Sequence, residues 1–238
     1  DVIKGRFTNS VSATALRRGL VVFQFVISIG LVVATIVIQG QIKFMKEQPL
    51  GFNKDQQIVI PFRSVEARQA YTALRNELLQ NNRISAASGT AYYPGILNPS
   101  DMSAYLPGQT VNEDNLLKTN FVAPDFMQAM DFKLAAGHMF SAEYPSDTNN
   151  KTVVNEAALR KFGIPLNKAV GQKLLFNQGG DKPGSIEIVG VVKDFHFQDL
   201  HKVIEPYAFF LDAGGNYNYL IAHINGNDAA SVIPFIES

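Results

Sequence analysis

Residues 19–38 read GLVVFQFVISIGLVVATIVI, twenty residues without a charged side chain, and Arg17-Arg18 stand directly before them. At about 1.5 Å of rise per residue, such a helix is roughly 30 Å long, the thickness of a bilayer's hydrocarbon core. The stretch predicts a transmembrane helix, and makes everything after it a domain hung from an anchor. Three other readings fit less well. A secretory signal has an apolar run of about 7–15 residues before a small-x-small cleavage site, whereas Gln39-Gly40-Gln41 follow here. A twin-arginine signal needs flanking residues that Leu16-Arg17-Arg18-Gly19 lacks. A buried soluble helix is rarely apolar on every face.

Charge orients the anchor. Residues 1–46 hold six basic side chains against one acidic, and the remaining chain holds 15 against 20. Lys4, Arg6, Arg17 and Arg18 precede the span, while only Lys43 and Lys46 follow closely. That bias predicts a cytoplasmic N-terminus and an extracytoplasmic bulk after about residue 40. A neutral-to-acidic domain offers no basic face for nucleic acid. The absence of cysteine excludes a disulfide framework, a thiolate metal site and a cysteine nucleophile.

The span is not uniformly apolar. Gln24, Ser28, Thr35 and Gln39 fall within about 60° of one another at 100° per residue, giving one faintly polar face. Amides and hydroxyls in lipid seek partners on other helices, and Gly30 with Ala34 forms a small-xxx-small pair on a different face. These six residues are the candidate helix-packing positions. Single polar residues are also tolerated in isolated spans, so the pattern alone leaves both readings open.

Beyond the span, residues 39–48 stay compatible with a helical stalk, ended by Pro49-Leu50-Gly51. Gln57–Phe62 predicts a strand, Ser64 caps an amphipathic helix with Ala67, Ala70, Tyr71, Leu74 and Leu78 on one face, and Ile84–Tyr92 predicts a second strand. Strand, helix and strand make a βαβ unit with neighbouring parallel strands. Residues 94–120, rich in Pro, Gly, Asn and Ser, read as turns around a subdomain boundary near 95–105. Pro124–Met130 predicts a short helix with Pro124 at its first position, and Asn155–Phe162 another closed by Gly163. Strands are expected at 174–176, 186–195, 207–211 and 219–224. Asn227-Asp228 looks like the cap of a further helix that the sequence leaves unfinished, as in a piece of a longer protein.

Chemistry is sparse. There is no G-x-x-x-x-G-K-[ST] loop, no G-x-G-x-x-G after a strand, no G-x-S-x-G elbow and no H-E-x-x-H. The densest titratable cluster is KDFHFQDLH, residues 193–201. On a continuing strand Asp194 would share a face with His196, and Asp199 with His201. Those four residues could form a metal site. The competing reading packs Phe195 and Phe197 inward and leaves the polar residues on a solvated face, and the irregular ligand spacing favours it. No cofactor is expected, and His138 and His223 receive no role.

Taken in order, RRGLVVFQFVISIGLVVATIVI (17–38), PLGFNKDQQIVI (49–60), NFVAPDFMQAMDFKLAAGHMFS (120–141), VVNEAALRKFG (153–163), AVGQKL (169–174) and GSIEIVGVVKDFHFQDLHKVIEP (184–206) form a recognisable series. The chain resembles the MacB/FtsX-type ABC transporter permeases, specifically the first helix of a transmembrane unit with a MacB-like periplasmic core domain. One departure is His138, where the family more often has arginine after the glycine, leaving open any salt bridge that arginine makes. The resemblance implies an α+β fold: a transmembrane helix followed by a two-lobed periplasmic domain. It divides the chain into a cytoplasmic segment (1–18), helix and stalk (19–48), an α/β lobe with the βαβ unit (49–100 with 201–238), and an inserted mixed β-rich lobe (101–200). It implies a bacterial inner-membrane location with residues after about 40 in the periplasm. It also implies a non-catalytic permease fragment that transmits ATP-driven motion for export of a peptide, drug or lipid-like substrate. The implied partners are a cytoplasmic ABC ATPase subunit or domain, a second permease copy and membrane lipid, with room for periplasmic proteins and none for nucleic acid. Two alternatives stand beside this: an anchored sensor input domain, and an anchored metal-dependent hydrolase using His196, His201, Asp194 and Asp199.

Overall fold

The computed structural model of the chain describes residues 10–47, 50–52, 56–109, 115–148, 150–177, 183–198, 202–212, 214–215 and 217–225. The chain divides between Pro49 and Leu50 into two units. The first holds α1, Ser10–Glu47, a single helix of 38 residues. Its stretch Ala15–Met45 is long and apolar enough to cross a membrane, and every side chain in that stretch is exposed. Val and Ile are indifferent helix formers in water. In lipid, backbone amides have no partner but their own helix, and that requirement decides the conformation. The 31 residues from Ala15 to Met45 extend about 46 Å, so the expected span and stalk form one uninterrupted rod. Arg17 and Arg18 lie inside this helix rather than in a separate leader.

The second unit is β-rich. It begins with β1 (Gln57–Pro61), α2 (Val65–Gln69), α3 (Tyr71–Gln80) and β2 (Ile84–Thr90). Next come β3 (Asp101–Tyr105), β4 (Leu116–Val122), α4 (Phe126–Ala129), β5 (Leu134–Gly137) and β6 (Lys151–Asn155). It ends with α5 (Glu156–Phe162), β7 (Lys173–Phe176), β8 (Gly184–Val192), β9 (Tyr207–Leu211) and β10 (Tyr219–Ile224). Ser64 caps α2 as expected, its hydroxyl accepting the Ala67 amide at 3.1 Å.

β1 and β2 run parallel but are not neighbours, because β10 lies between them and pairs antiparallel with both. The β–α–β crossover leaves room for one more strand, and β10 fills it. Leu220, Ile221, Ala222 and Ile224 are all buried, as a central strand requires. β2 then touches β4 through one pair, Thr90 with Val122. From β4 the pairings run in a closed circuit through β3, β7, β8, β6 and β9 and back to β4. Two links are parallel, β6–β8 and β4–β9. The circuit is a small six-stranded ring.

Three apolar cores follow this layout. Leu78, Ile84, Leu220 and Ile224 pack where α3 covers the β1–β10–β2 sheet. Leu117, Val154, Leu174, Ile188 and Ala208 pack with α5 in the ring. Between them lies an aromatic cluster of Phe126, Phe132, Phe195, Phe197, Tyr207 and Phe209.

Several local expectations need correction. Pro124 precedes the cap of α4 instead of starting the helix, since Asp125, at φ 66°, is the N-cap. Residues 94–120 contain β3 and the greater part of β4, whose pairing outweighs the surrounding turn-forming residues. The strand expected to reach Phe195 ends at Val192. Its next amide, Lys193, donates sideways to the Lys133 carbonyl at 2.8 Å, and the His196 amide donates to Leu50 at 2.9 Å. Asp194 and His196 therefore do not share a strand face. The helix expected after Asn227-Asp228 lies outside the described residues.

Burial raises the pKa of Tyr71 and Tyr217 and holds that of Tyr207 well above the usual phenol value. Unfolded tyrosine ionises near pH 10, so above that pH the unfolded chain has released protons that the folded chain keeps. The stabilisation is complete below about pH 10 and is lost as pH rises, by about 1.4 kcal/mol per unit for each such tyrosine. Denaturant unfolding of the domain is expected to show lower stability at pH 11 than at pH 9; equal midpoints would contradict these burial assignments.

Candidate functional site

The six positions on α1 stand on one continuous helix, so their angular relation is that of an ideal one. Gln24, Ser28, Thr35 and Gln39 share a face, and Gly30 and Ala34 another. The Thr35 hydroxyl donates to the Leu31 carbonyl at 2.8 Å, so its proton is satisfied within the helix. A Cβ built on Gly30 meets nothing within 4 Å. Among the described residues no contact calls for a glycine there.

The KDFHF stretch is a structural clasp. Phe195 and Phe197 are buried, and Phe195 packs edge-on against Phe132 and Tyr207. One Asp194 carboxylate oxygen accepts the Ala157 amide at 2.7 Å, and the other pairs with Arg160. Both oxygens are thus committed to the first turns of α5. Gly51 fits because it has no side chain: its φ is +84° and a Cβ would lie 2.3 Å from the Asp194 carbonyl. Asp199 and His201, the other half of the metal alternative, lie outside the described residues. Among the described residues no three His, Cys, Asp or Glu side chains are grouped to hold a metal ion.

His138 has its own partner. Its Nε2 lies 2.8 Å from Asp147 Oδ2, and its ring stacks on Tyr144 at 3.9 Å. Asp147 is only 4% exposed. The histidine therefore occupies the kind of acid-paired position that an arginine would fill.

The polar residues that hold the site together were not visible as such. Asn155 is fully buried. Its carbonyl oxygen accepts the amides of Ala158 at 3.0 Å and Tyr207 at 2.9 Å, and its amide donates to Glu205. Asn120 brackets Tyr92, accepting its N–H at 3.1 Å and donating to its carbonyl at 2.8 Å. Asn98 donates to the Thr119 carbonyl and to the Tyr207 hydroxyl. The helix expected from Asn155 implies no cap there, and the chief partners of Asn98 and Asn120 are distant in sequence.

These features define a class: an apolar helix of membrane-crossing length followed by an α+β domain whose polar clusters are structural. A family model described as MacB-like periplasmic core domain matches residues 19–232. The chain belongs to that family, within the MacB/FtsX-type ABC transporter permeases. Its fold is similar to the periplasmic region of MacB from Actinobacillus actinomycetemcomitans. That likeness has 12% identity and a TM-score of 0.52, over 80% of this chain and 84% of that one. The extracellular domain of the noncanonic ABC-type transporter YknZ from Gram-positive bacteria also aligns. It shows 13% identity and a TM-score of 0.48 over 75% of this chain and 87% of that one. No curated protein matches the sequence. The role is that of an ABC-transporter permease component, membrane-anchored, with its domain outside the cytoplasm.

Proposed function

We propose that the chain is a non-catalytic piece of a permease subunit in the bacterial inner membrane. In this reading α1 carries motion driven by cytoplasmic ATP hydrolysis to the periplasmic domain, for export of a peptide, drug or lipid-like substrate. The observation that carries it is the unbroken helix from Ser10 to Glu47 in a chain whose family match starts within that helix, at residue 19. A continuous rod transmits displacement where a flexible linker would dissipate it. The stripe of Gln24, Ser28, Thr35 and Gln39 packs against other helices, and Gly30 with Ala34 permits close approach to one of them. A second permease copy and an ABC ATPase, separate or fused, complete the assembly.

The domain works as two lobes, one from residues 49–100 with 201–238 and one from 101–200. The core under α3 supports the first and the closed strand ring supports the second, with β9 reaching across to complete the ring.

Crosslinking in native membranes followed by isolation of the chain is expected to recover an ABC ATPase. Gln24→Leu combined with Thr35→Leu is expected to lower that yield several-fold while leaving membrane insertion intact. Recovery of a kinase would favour the sensor reading, and an undiminished yield from the double variant would remove the stripe from the account.

A further inference from the structure

Among the described residues, the strand ring has one end that side chains do not close. Successive residues on a strand alternate faces, so Met102, Phe121, Phe176 and Phe210 continue the faces of Ala104, Thr119, Leu174 and Ala208. The deeper members of these pairs are buried. Of the outer ones, Met102, Phe176 and Phe210 are only partly buried and pack on the ring's core, and Phe121 is 47% exposed. The apolar interior therefore runs out to solvent as a concave mouth of about 400 Å³, floored by these four side chains and Ile186. Small-molecule sites measure about 300–1,000 Å³, and the mouths of β-barrels are among their usual places.

We propose that this mouth binds the hydrocarbon chain of an uncharged single-chain amphiphile. Its two charged lining residues are already neutralised: Asp101 by Lys118 at 3.5 Å and Lys151 by Glu187 at 2.9 Å. Inside that rim, the hydroxyls of Ser100 and Thr119 hydrogen-bond each other at 2.6 Å. Such a rim is matched electrostatically by a neutral head group, whereas an ionised one would compete with existing pairs. The floor suits methylenes: Phe121 and Phe210 stand on the paired strands β4 and β9 with centroids 5.6 Å apart at 31°, an extended aromatic wall. The choice of an acyl chain rests on the membrane-anchored reading, since a domain tethered by its own span meets bilayer lipid before any other apolar solute.

The test uses the full chain in lipid nanodiscs with a monoacylglycerol carrying a photoreactive diazirine on its acyl chain, and labelled peptides mapped by mass spectrometry. Label is expected on the peptides containing Phe121 and Phe210, displaced by unlabelled monoacylglycerol. It should fall roughly tenfold in Phe210→Gln, the scale of one lost aromatic contact. Phe121→Ser, at a position already 47% exposed, is expected to do the same with an unfolding midpoint close to that of wild type. Label confined to α1, groove label that survives Phe121→Ser or resists competition, or a crosslink to a second protein in place of lipid would overturn the proposal. An unlabelled α1 beside a labelled groove would instead overturn the anchor and support the site.

Discussion

Asn155→Ala is expected to lower the domain's stability by roughly 2–4 kcal/mol. The loss of an N-cap side chain costs about 1 kcal/mol. The substitution also strands the Tyr207 amide, a buried backbone group that costs about 1–3 kcal/mol when unpaired, and frees the Glu205 carbonyl, whose residue is exposed and can turn to water. One side chain is responsible because Asn155 joins the end of β6, the start of α5 and the approach to β9. Against a total stability of about 5–15 kcal/mol for an ordinary domain, the loss is severe. Denaturant unfolding checks it. Asn155→Asp keeps the acceptor oxygen and loses the donor, so it should fall between Ala and wild type. A change below about 1 kcal/mol in Asn155→Ala would show that water replaces these bonds at little cost.

The second large effect is expected at Gly190. This residue of β8 pairs with Gly137 of β5, and a Cβ on it would lie 1.9 Å from the His138 carbonyl oxygen. The obstacle is backbone, so no rotamer change relieves it. β8 is held by β5, β6 and β7 at once and cannot shift without disturbing all three. Gly190→Ala should therefore cost about 4 kcal/mol or more, in the range reserved for a named steric failure. At about 2–4 °C per kcal/mol for a domain of this size, the melting temperature should drop by roughly 8–16 °C. A melting temperature within about 2 °C of wild type would mean that β5 can detach freely.

Legibility divided along a physical line. Features set by local periodicity could be read directly: the apolar run at 19–38, the bounds of β9 and β10, the Gly163 cap of α5, and the structural character of Phe195 and Phe197. Features set by distant partners could not. Nothing in residues 57–92 tells that β10, more than 120 positions after the end of that segment, will lie between β1 and β2. Nothing in residues 116–122 reveals a parallel partner at 207–211. The strand expected through Phe195 failed for the same reason, because Asp194 turns away to meet the start of α5. For the helix, periodicity gave the shared face of Gln24, Ser28, Thr35 and Gln39 directly.

The central claim is that α1 crosses the inner membrane and holds the domain on its outer side. Because the chain has no cysteine, a single introduced thiol reports one location. Val203, 90% exposed on the domain, and Ser10, the first residue of α1, are the two positions to compare with a membrane-impermeant maleimide on intact spheroplasts. The account predicts that Val203→Cys is labelled at once and Ser10→Cys only after the membrane is opened. Protection of Val203→Cys until lysis, or equal labelling of both from outside, would contradict it.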